Sequence, residues 1–158
     1  MLVAEAHHKK LNVAPVSGAS ALSCFISICG LPNHGFAFKG FFPRKTGKKL
    51  EAVVKDIQYT DMTYIFFESP RRILTTLENL QKQLPDALIC VAKELTKTFE
   101  TIWSGSCQNV YKELKKIPEI KGEFVFGIYG FESVKDEHSL TLHQDELDAL
   151  LSLSLIHI

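Results

Sequence analysis

The stretch Met62-Thr-Tyr-Ile-Phe-Phe-Glu-Ser-Pro-Arg-Arg72 joins a strand to a helix and decides the fold class. Its large apolar residues over 62–67 are typical of a strand that is buried on both faces of a sheet. Ser69 is a good helix N-cap, and Pro70 suits the first helical position, where its missing N–H costs nothing. Helical spacing then recurs downstream, which predicts a strand–helix unit with one apolar face. That face consists of Ile73, Leu77, Leu80 and Leu84.

Strands and helices alternate on either side of this unit. We predict further strands over residues 11–15, 36–42, 87–92 and 122–130, with 101–103 as another candidate. Helices are predicted over 17–29, over 48–57 and over 107–116, and Gly30 with Pro32 should end the first of them. This alternation predicts an α/β fold, namely a layered α/β domain with a mostly parallel or mixed sheet of about five strands.

The composition is that of one ordinary globular domain. The chain has 158 residues, 18 basic and 18 acidic residues, and 46% hydrophobic residues. This balance excludes a disordered tail, a collagen-like chain and a supercharged nucleic-acid clamp. The longest mostly apolar stretch, residues 21–29, is far shorter than the ~20 residues of a membrane span, and the first ten residues do not fit a signal peptide. We therefore expect a cytoplasmic protein without membrane contact.

The charges are unevenly distributed along the chain. Six acidic residues and one lysine lie between Glu132 and the end, so the first 131 residues carry a mild positive excess. Such an excess is compatible with RNA binding but does not demonstrate it.

The cysteines and histidines do not predict a metal site. Cys24, Cys29, Cys90 and Cys107 show no C-x-x-C spacing and are spread over three predicted elements, which favours small buried hydrophobes. The adjacent histidines at positions 7 and 8 would point about 100° apart on a helix and could not share an ion. No metal is expected.

Three segments follow predicted strands, at the edge where open α/β sheets bind ligands. They are residues 15–21, 68–72 and 93–100. Each also has an ordinary structural interpretation: a capped strand–helix turn, a helix cap with two solvated arginines, and an exposed loop of mixed charge. Composition and spacing leave both interpretations open.

Five motifs in one order carry a family resemblance. They are Gly30-Leu-Pro32, Gly40-Phe-Phe-Pro-Arg-Lys45, Phe66-Phe-Glu-Ser-Pro-Arg-Arg72, Ala92-Lys-Glu-Leu-Thr-Lys97 with Glu100, and Gly122-Glu-Phe-Val125. Over residues 2–130 the chain resembles the ribosomal RNA small subunit methyltransferase I family of the tetrapyrrole methylase superfamily. The match is to the second, C-terminal domain only, because the glycine-rich turn and the Gly-Thr-Pro and Asp-Pro-Gly segments of the first domain do not occur.

The resemblance implies an activity and a domain organisation. It implies S-adenosylmethionine as cofactor and transfer of a methyl group to the ribose 2′-hydroxyl of a cytidine in the decoding region of 16S rRNA. The implied partners are 16S rRNA or the small ribosomal subunit, the missing N-terminal domain and a second copy in a homodimer, but not DNA. We expect residues 1–131 to be the C-terminal α/β domain, 132–152 an acidic linker and the start of a helical extension, and 153–158 a non-native tail. The chain alone should be inactive.

The resemblance also assigns site residues. Cofactor contact is implied for Pro15, Ser17, Gly18, Ser20, Ala21, Phe67, Glu68 and Ala92. Glu68 and Lys93 are the catalytic candidates, although a capping role for Glu68 and a surface ion pair for Lys93 are open alternatives. The chain departs from the family pattern at Ser17 and Ala19, where prolines are usual, at Phe67 for tyrosine, at Arg71 for histidine and at Lys93 for arginine. Lysine lacks the planar fork of arginine, so bidentate contact at that position is in doubt.

RNA contact is predicted for a basic stretch, with two further cations. Lys39, Arg44, Lys45, Lys48 and Lys49 lie within eleven positions with no acid between them, beside Phe41 and Phe42, one of which should pack in the core. Arg72 and Lys97 complete the set. If all five charges of the stretch met phosphates, log affinity would fall with log salt at a slope of ~−3.5. The alternatives are a solvated loop, a methylase of a small molecule such as a tetrapyrrole, and a non-catalytic domain that binds RNA or a partner chain.

Overall fold

The computed structural model describes residues 5–131 apart from 7, 12, 14–17, 33, 45 and 46. The predicted strand over 11–15 lies largely outside the described residues. Three predicted site residues, Pro15, Ser17 and Lys45, also lie outside them, as do the predicted segments 132–152 and 153–158.

Five strands form one mixed sheet in the order β1-β2-β5-β3-β4. The strands are β1 (Phe36–Phe41), β2 (Thr63–Glu68), β3 (Leu88–Lys93), β4 (Thr101–Ser106) and β5 (Phe124–Tyr129). The pair β1 and β2 is parallel, and the other three neighbouring pairs are antiparallel. The α/β prediction with about five strands is confirmed. Of the two predicted sheet types the mixed one is correct, because β5 inserts between β2 and β3 in the opposite direction.

These directions bring several strand ends together. Because β5 is antiparallel to both β2 and β3, strands β1, β2 and β3 end at one edge of the sheet, and β5 and β4 begin there. We call this the carboxyl edge, formed by Phe41, Glu68 and Lys93 and by the strand starts Phe124 and Thr101. Phe124 pairs with both Glu68 and Lys93, so these two residues lie two strands apart, or about 10 Å.

Helices cover both faces of the sheet, and each face has its own hydrophobic core. The helices α2 (Lys48–Tyr59), α3 (Ile73–Gln83) and α4 (Cys107–Lys115) bury one face around Phe66 and Phe126. Helix α1 (Ala21–Ile28) places Phe25 on the other face, against Ile65, Cys90, Ala92 and Val125. The predicted apolar face of α3 is confirmed, because its four residues are all buried.

Two helices begin later than the sequence predicts. Helix α1 begins after Ser20, whose Oγ accepts the Ser23 N–H at 3.2 Å while the Ser23 side chain accepts the Ser20 N–H at 3.2 Å, a reciprocal cap. Helix α3 begins after Arg72 instead of Ser69. The Ser69 carbonyl accepts the N–H groups of Arg72 and Ile73, so residues 69–72 form a separate turn before the helix.

The interpretation of the cysteines as small buried hydrophobes is confirmed for Cys29, Cys90 and Cys107, and Cys24 is half-buried. Burial raises the pKa of Cys90 and that of Cys107 to about 12, so both are neutral thiols at physiological pH. In the part of the chain that the structure describes, no group of three or more His, Cys, Asp or Glu residues could hold a metal ion. None of the described helices is both long and apolar enough to cross a bilayer.

Candidate active site

A cleft of about 430 Å³ lies at the carboxyl edge of the sheet. This volume falls within the ~300–1,000 Å³ that is typical of small-molecule sites. Its walls come from the start of α1, from the ends of β1 and β2, from the loop after β3 and from the beginning of β5. The apolar part of the wall consists of Ala21, Phe41, Phe67, Leu95, Phe124 and Val125, and the polar part includes Glu68, Ser69 and Glu123.

The aromatic rings of Phe41 and Phe67 make one side of this cleft, and Phe38 packs against Phe67 outside the lining. The Phe67 ring meets the edge of Phe38 at a centroid distance of 4.9 Å and that of Phe41 at 6.0 Å. Phe41 is 67% exposed, whereas the adjacent Phe42 is buried in the core. The prediction that one of this pair packs in the core is thus confirmed. Exposed aromatic faces of this kind accommodate planar apolar rings and attract cations.

Glu68 is buried at the end of β2, and its carboxylate is engaged within the protein. Its Oε1 accepts the Ser69 backbone N–H at 2.7 Å, and its Oε2 accepts the Thr76 hydroxyl at 2.9 Å. The same Oε2 lies 3.1 Å from Nη2 of Arg72. These bonds hold the turn that precedes α3. They do not cap the helix, because its N-cap is Arg72 and no described side chain makes a cap hydrogen bond there.

Arg72 connects this carboxylate to the start of the basic stretch. Its Nη2 also donates to the carbonyl oxygens of Phe42 at 3.0 Å and Pro43 at 3.2 Å. The guanidinium therefore fixes the chain that leaves β1 against the end of β2. Contact between Arg72 and RNA stays a prediction.

The loop after β3 is held by a charge cluster. The Glu94 carboxylate accepts the Glu123 N–H at 2.7 Å and lies 3.3 Å from Nζ of Lys97, which is itself 2.9 Å from the Glu123 carboxylate. The hydrogen bond from the Glu123 backbone and then the Lys97 ammonium lower the pKa of Glu94. Hydrogen bonds to Glu123 and Glu94 raise the pKa of Lys97. This cluster places Leu95 in the cleft wall.

The backbone of this loop is strained on both sides of Leu95. Glu94 has φ 51° and Thr96 has φ 65°, conformations that non-glycine residues adopt rarely. Such strain persists only where the surrounding structure over-determines it. Here the Glu100 carboxylate accepts the Thr96 N–H at 2.6 Å and supplements the cluster around Glu94.

The predicted cofactor residues occupy three kinds of position. Ala21, Phe67 and Glu68 line the cleft. Ser20 and Gly18 are exposed just ahead of α1, and Ala92 is fully buried in the core beneath the cleft. Lys93 is half-buried at the end of β3, in register with Thr101 and Phe124. Cofactor contact by Ser20, Gly18 and Ala92 and a catalytic role for Lys93 stay predictions.

The described residues that were predicted to bind RNA differ in exposure and in whether they already pair with a carboxylate. Arg44 and Lys48 are exposed. Nζ of Lys39 lies 3.6 Å from the Asp56 carboxylate and 5.4 Å from the centre of the Tyr64 ring, and Lys97 belongs to the charge cluster.

Sequence reasoning missed the contribution of Leu95, Phe124 and Val125 to the cleft. The Gly122-Glu-Phe-Val125 motif was the available signal, but the position of β5 in the sheet was not readable from it.

The fold matches two solved structures. Diphthine synthase aligns with a TM-score of 0.54 and 21% identity over 96% of this chain and 58% of its own. The methyltransferase CobJ aligns with a TM-score of 0.52 and 19% identity over 82% of this chain and 55% of its own. These similarities define the class: the chain has the α/β fold of the tetrapyrrole methylases.

Sequence relatives narrow this class to one family, although no protein-family profile matches the chain. Relatives named ribosomal RNA small subunit methyltransferase I occur in Hydrogenobaculum, with 41% identity over 73% of this chain and 49% of theirs, and in Haemophilus influenzae, with 36% identity over 82% and 46%. That of Pasteurella multocida is 33% identical over 98% of this chain and 53% of its own. The chain belongs to the ribosomal RNA small subunit methyltransferase I family and spans about half the length of these relatives.

Proposed function

We propose that this chain supplies one wall of the S-adenosylmethionine cleft in an enzyme that methylates the ribose 2′-hydroxyl of a cytidine in 16S rRNA. The observation that carries the proposal is the aromatic and aliphatic cleft at the carboxyl edge, in a chain whose relatives are named as rRNA methyltransferases. The 16S target and the cytidine rest on the family resemblance.

The cleft residues fit this cofactor. Leu95 and Val125 offer aliphatic surface to an adenine ring, and Phe41 and Phe67 offer aromatic surface to a sulfonium cation. The buried carboxylate of Glu68 is already bonded within the protein, so Arg72 and two hydrogen-bond donors compensate its charge at the cleft. When bound, the cofactor would supply an electrophilic methyl group for the ribose 2′-oxygen, and the four apolar side chains would hold it in the cleft.

The task of this chain in such a reaction is positioning. Holding two reactants in line contributes up to ~7–11 kcal/mol, whereas a general base adds only ~10²–10⁴-fold. Glu68 acts here as a positioning residue, because it fixes the turn that lines the cleft through Ser69 and Thr76. Lys93, about 10 Å away across β5, acts separately if it contacts the ribose.

The basic stretch after β1 supports RNA as the substrate. Arg44 and Lys48 are exposed, and they follow Phe41, which lines the cleft, along the chain. Positive charges beside the methyl-transfer cleft would neutralise RNA phosphates and orient the strand.

Calorimetry with S-adenosylmethionine tests the proposal. We expect no measurable binding to this chain alone, and binding once the remaining half of a family relative is joined to it. The joined protein should transfer a labelled methyl group from the cofactor to small ribosomal subunits, and digestion of the RNA should locate the label on a cytidine ribose. RNA binding by the joined protein without cofactor binding would contradict the proposal and favour a non-catalytic RNA-binding domain.

A further inference from the structure

A second cleft, of about 620 Å³, lies beside the first one. We call it the α3 groove, defined by Pro43, Arg44, Leu50, Arg72, Thr75 and Asn79. It runs between residues 42–44, which follow β1, and the side of α3. The two clefts share one partition, because residues 41 and 68–70 line the first and residues 42–44 and 72 line the second.

The α3 groove is cationic and polar where the first cleft is largely apolar. Arg44 is exposed at its rim, and the Arg72 guanidinium is held in place by Glu68 and by the carbonyls of Phe42 and Pro43. A cation whose position is fixed in advance loses little conformational entropy when it binds an anion.

Polar groups on α3 continue this surface. Thr75 and Asn79 lie one turn apart on the helix and offer a hydroxyl and an amide to the groove. Leu50 lies in the first turn of α2, so the groove also adjoins the amino end of a second helix. Helix amino ends favour negative charge, which adds to the attraction of Arg44. The charge of Arg72 is balanced by Glu68, so Arg72 contributes N–H donors and not a net charge.

We infer that the α3 groove binds the sugar–phosphate of a nucleotide adjacent to the one in the methyl-transfer cleft, with the phosphate at Arg44 and Arg72. This inference rests on the proposed function for its choice of RNA as the ligand. Asn79 and Thr75 contact the ribose or the base of that nucleotide. A single strand that crosses the partition at residues 42–43 places consecutive nucleotides in the two clefts.

The isosteric substitution Asn79→Asp tests the groove directly. It places a negative charge in the groove that would hold the phosphate, without changing the shape of the side chain. Its matched control is Gln83→Glu, which adds the same charge one turn further along α3, outside the groove. The probe is a 5′-fluorescein-labelled oligocytidylate of about 12 nucleotides, and its fluorescence anisotropy gives the dissociation constant.

We expect Asn79→Asp to weaken binding about tenfold, because the new carboxylate repels the phosphate in the same groove, and Gln83→Glu to change it less than about twofold. Equal losses in both variants, or no loss in either, would overturn the inference. Thermal unfolding of both variants checks that they are folded, and Asn79→Ala gives a second, uncharged version of the test.

A charge deletion at the rim gives independent support. Arg44→Ala should lower the slope of log affinity against log salt by about 0.7, whereas Lys112→Ala, an exposed cation on α4, should leave it unchanged. Identical slopes for the two variants count against a phosphate at Arg44. These measurements use the chain without cofactor. A failure of RNA binding at the α3 groove can therefore be distinguished from a failure of cofactor binding or of methyl transfer.

Discussion

Oε2 of Glu68 lies 3.1 Å from Nη2 of Arg72, and this pair joins three parts of the carboxyl edge. Glu68 ends β2 and bonds the turn before α3, while Arg72 bonds the two carbonyl oxygens at the end of β1. The pair also lies in the partition between the two clefts. One buried carboxylate thus fixes the wall of the proposed methyl-transfer cleft and the arginine of the α3 groove.

Removal of the arginine should therefore destabilise the protein. Arg72→Ala leaves the carboxylate of Glu68 buried with two hydrogen-bond donors and no cation, so we expect a loss of about 2–3 kcal/mol in the free energy of unfolding. Urea denaturation measures this loss. The matched control is Arg71→Ala, at the exposed neighbouring position, which should cost less than about 0.5 kcal/mol. Equal losses in the free energy of unfolding at the two positions would show that the Glu68–Arg72 pair makes no specific contribution to stability.

Gly122 should resist substitution because of both conformation and space. Its φ is +99°, and a Cβ placed on it would lie 2.7 Å from the Glu94 side chain, which is held by the Glu123 backbone N–H and by an ion pair with Lys97. Gly40 has φ +72° but nothing within 4 Å of a Cβ, so Gly40→Ala isolates the backbone cost of about 1–2 kcal/mol. We expect Gly122→Ala to exceed Gly40→Ala by at least about 1 kcal/mol in urea denaturation. Equal losses would mean that Glu94 moves aside freely.

The charge cluster in the loop after β3 should make stability depend on pH. The pKa of Glu94 is lowered in the folded state, so its contribution is present above its ordinary value of 4.5 and is lost as the pH falls through the depressed value. Glu94→Gln should therefore lower the urea midpoint at pH 7, and the difference from the native chain should shrink at the acid end. Glu113→Gln, at an exposed carboxylate that pairs only with Lys116 among the described residues, is the control and should show little pH-dependent difference. A difference that stays constant from pH 7 downward would contradict the assignment to the Glu94 charge.

Much of the fold was predictable because its signals are local. The apolar run over 62–67 and the spacing of Ile73, Leu77, Leu80 and Leu84 depend on the sequence of one element, and the structure places the strand and the buried face within one residue of their predicted positions. The start of α3 was missed for a non-local reason. Glu68 and Arg72 fold the segment after β2 into a separate turn, although Ser69 and Pro70 fit a helix start.

The candidate site was less predictable, because its parts come from distant positions. Lys97 was predicted to bind RNA, but its carboxylate partner Glu123 lies 26 residues further along the chain. The contact follows from β5 inserting beside β3, and no local pattern encodes that insertion. For the same reason the family motifs located the cleft more fully than spacing did.

The aromatic wall of the cleft gives the most direct test of the cofactor site. Phe41 and Phe99 are both exposed, at 67% and 76%, but only Phe41 lines the cleft. In the protein joined to the remaining half of a relative, Phe41→Ala should weaken S-adenosylmethionine binding about two- to fivefold, because an exposed cation–π contact is worth about 0.5–1 kcal/mol. Phe99→Ala should leave the dissociation constant unchanged. Calorimetry at fixed salt measures both constants, and thermal unfolding checks that each variant is folded. An unchanged dissociation constant in Phe41→Ala, or equal losses of affinity in the two variants, would show that Phe41 does not contact the cofactor. The sulfonium would then have to bind away from the end of β1.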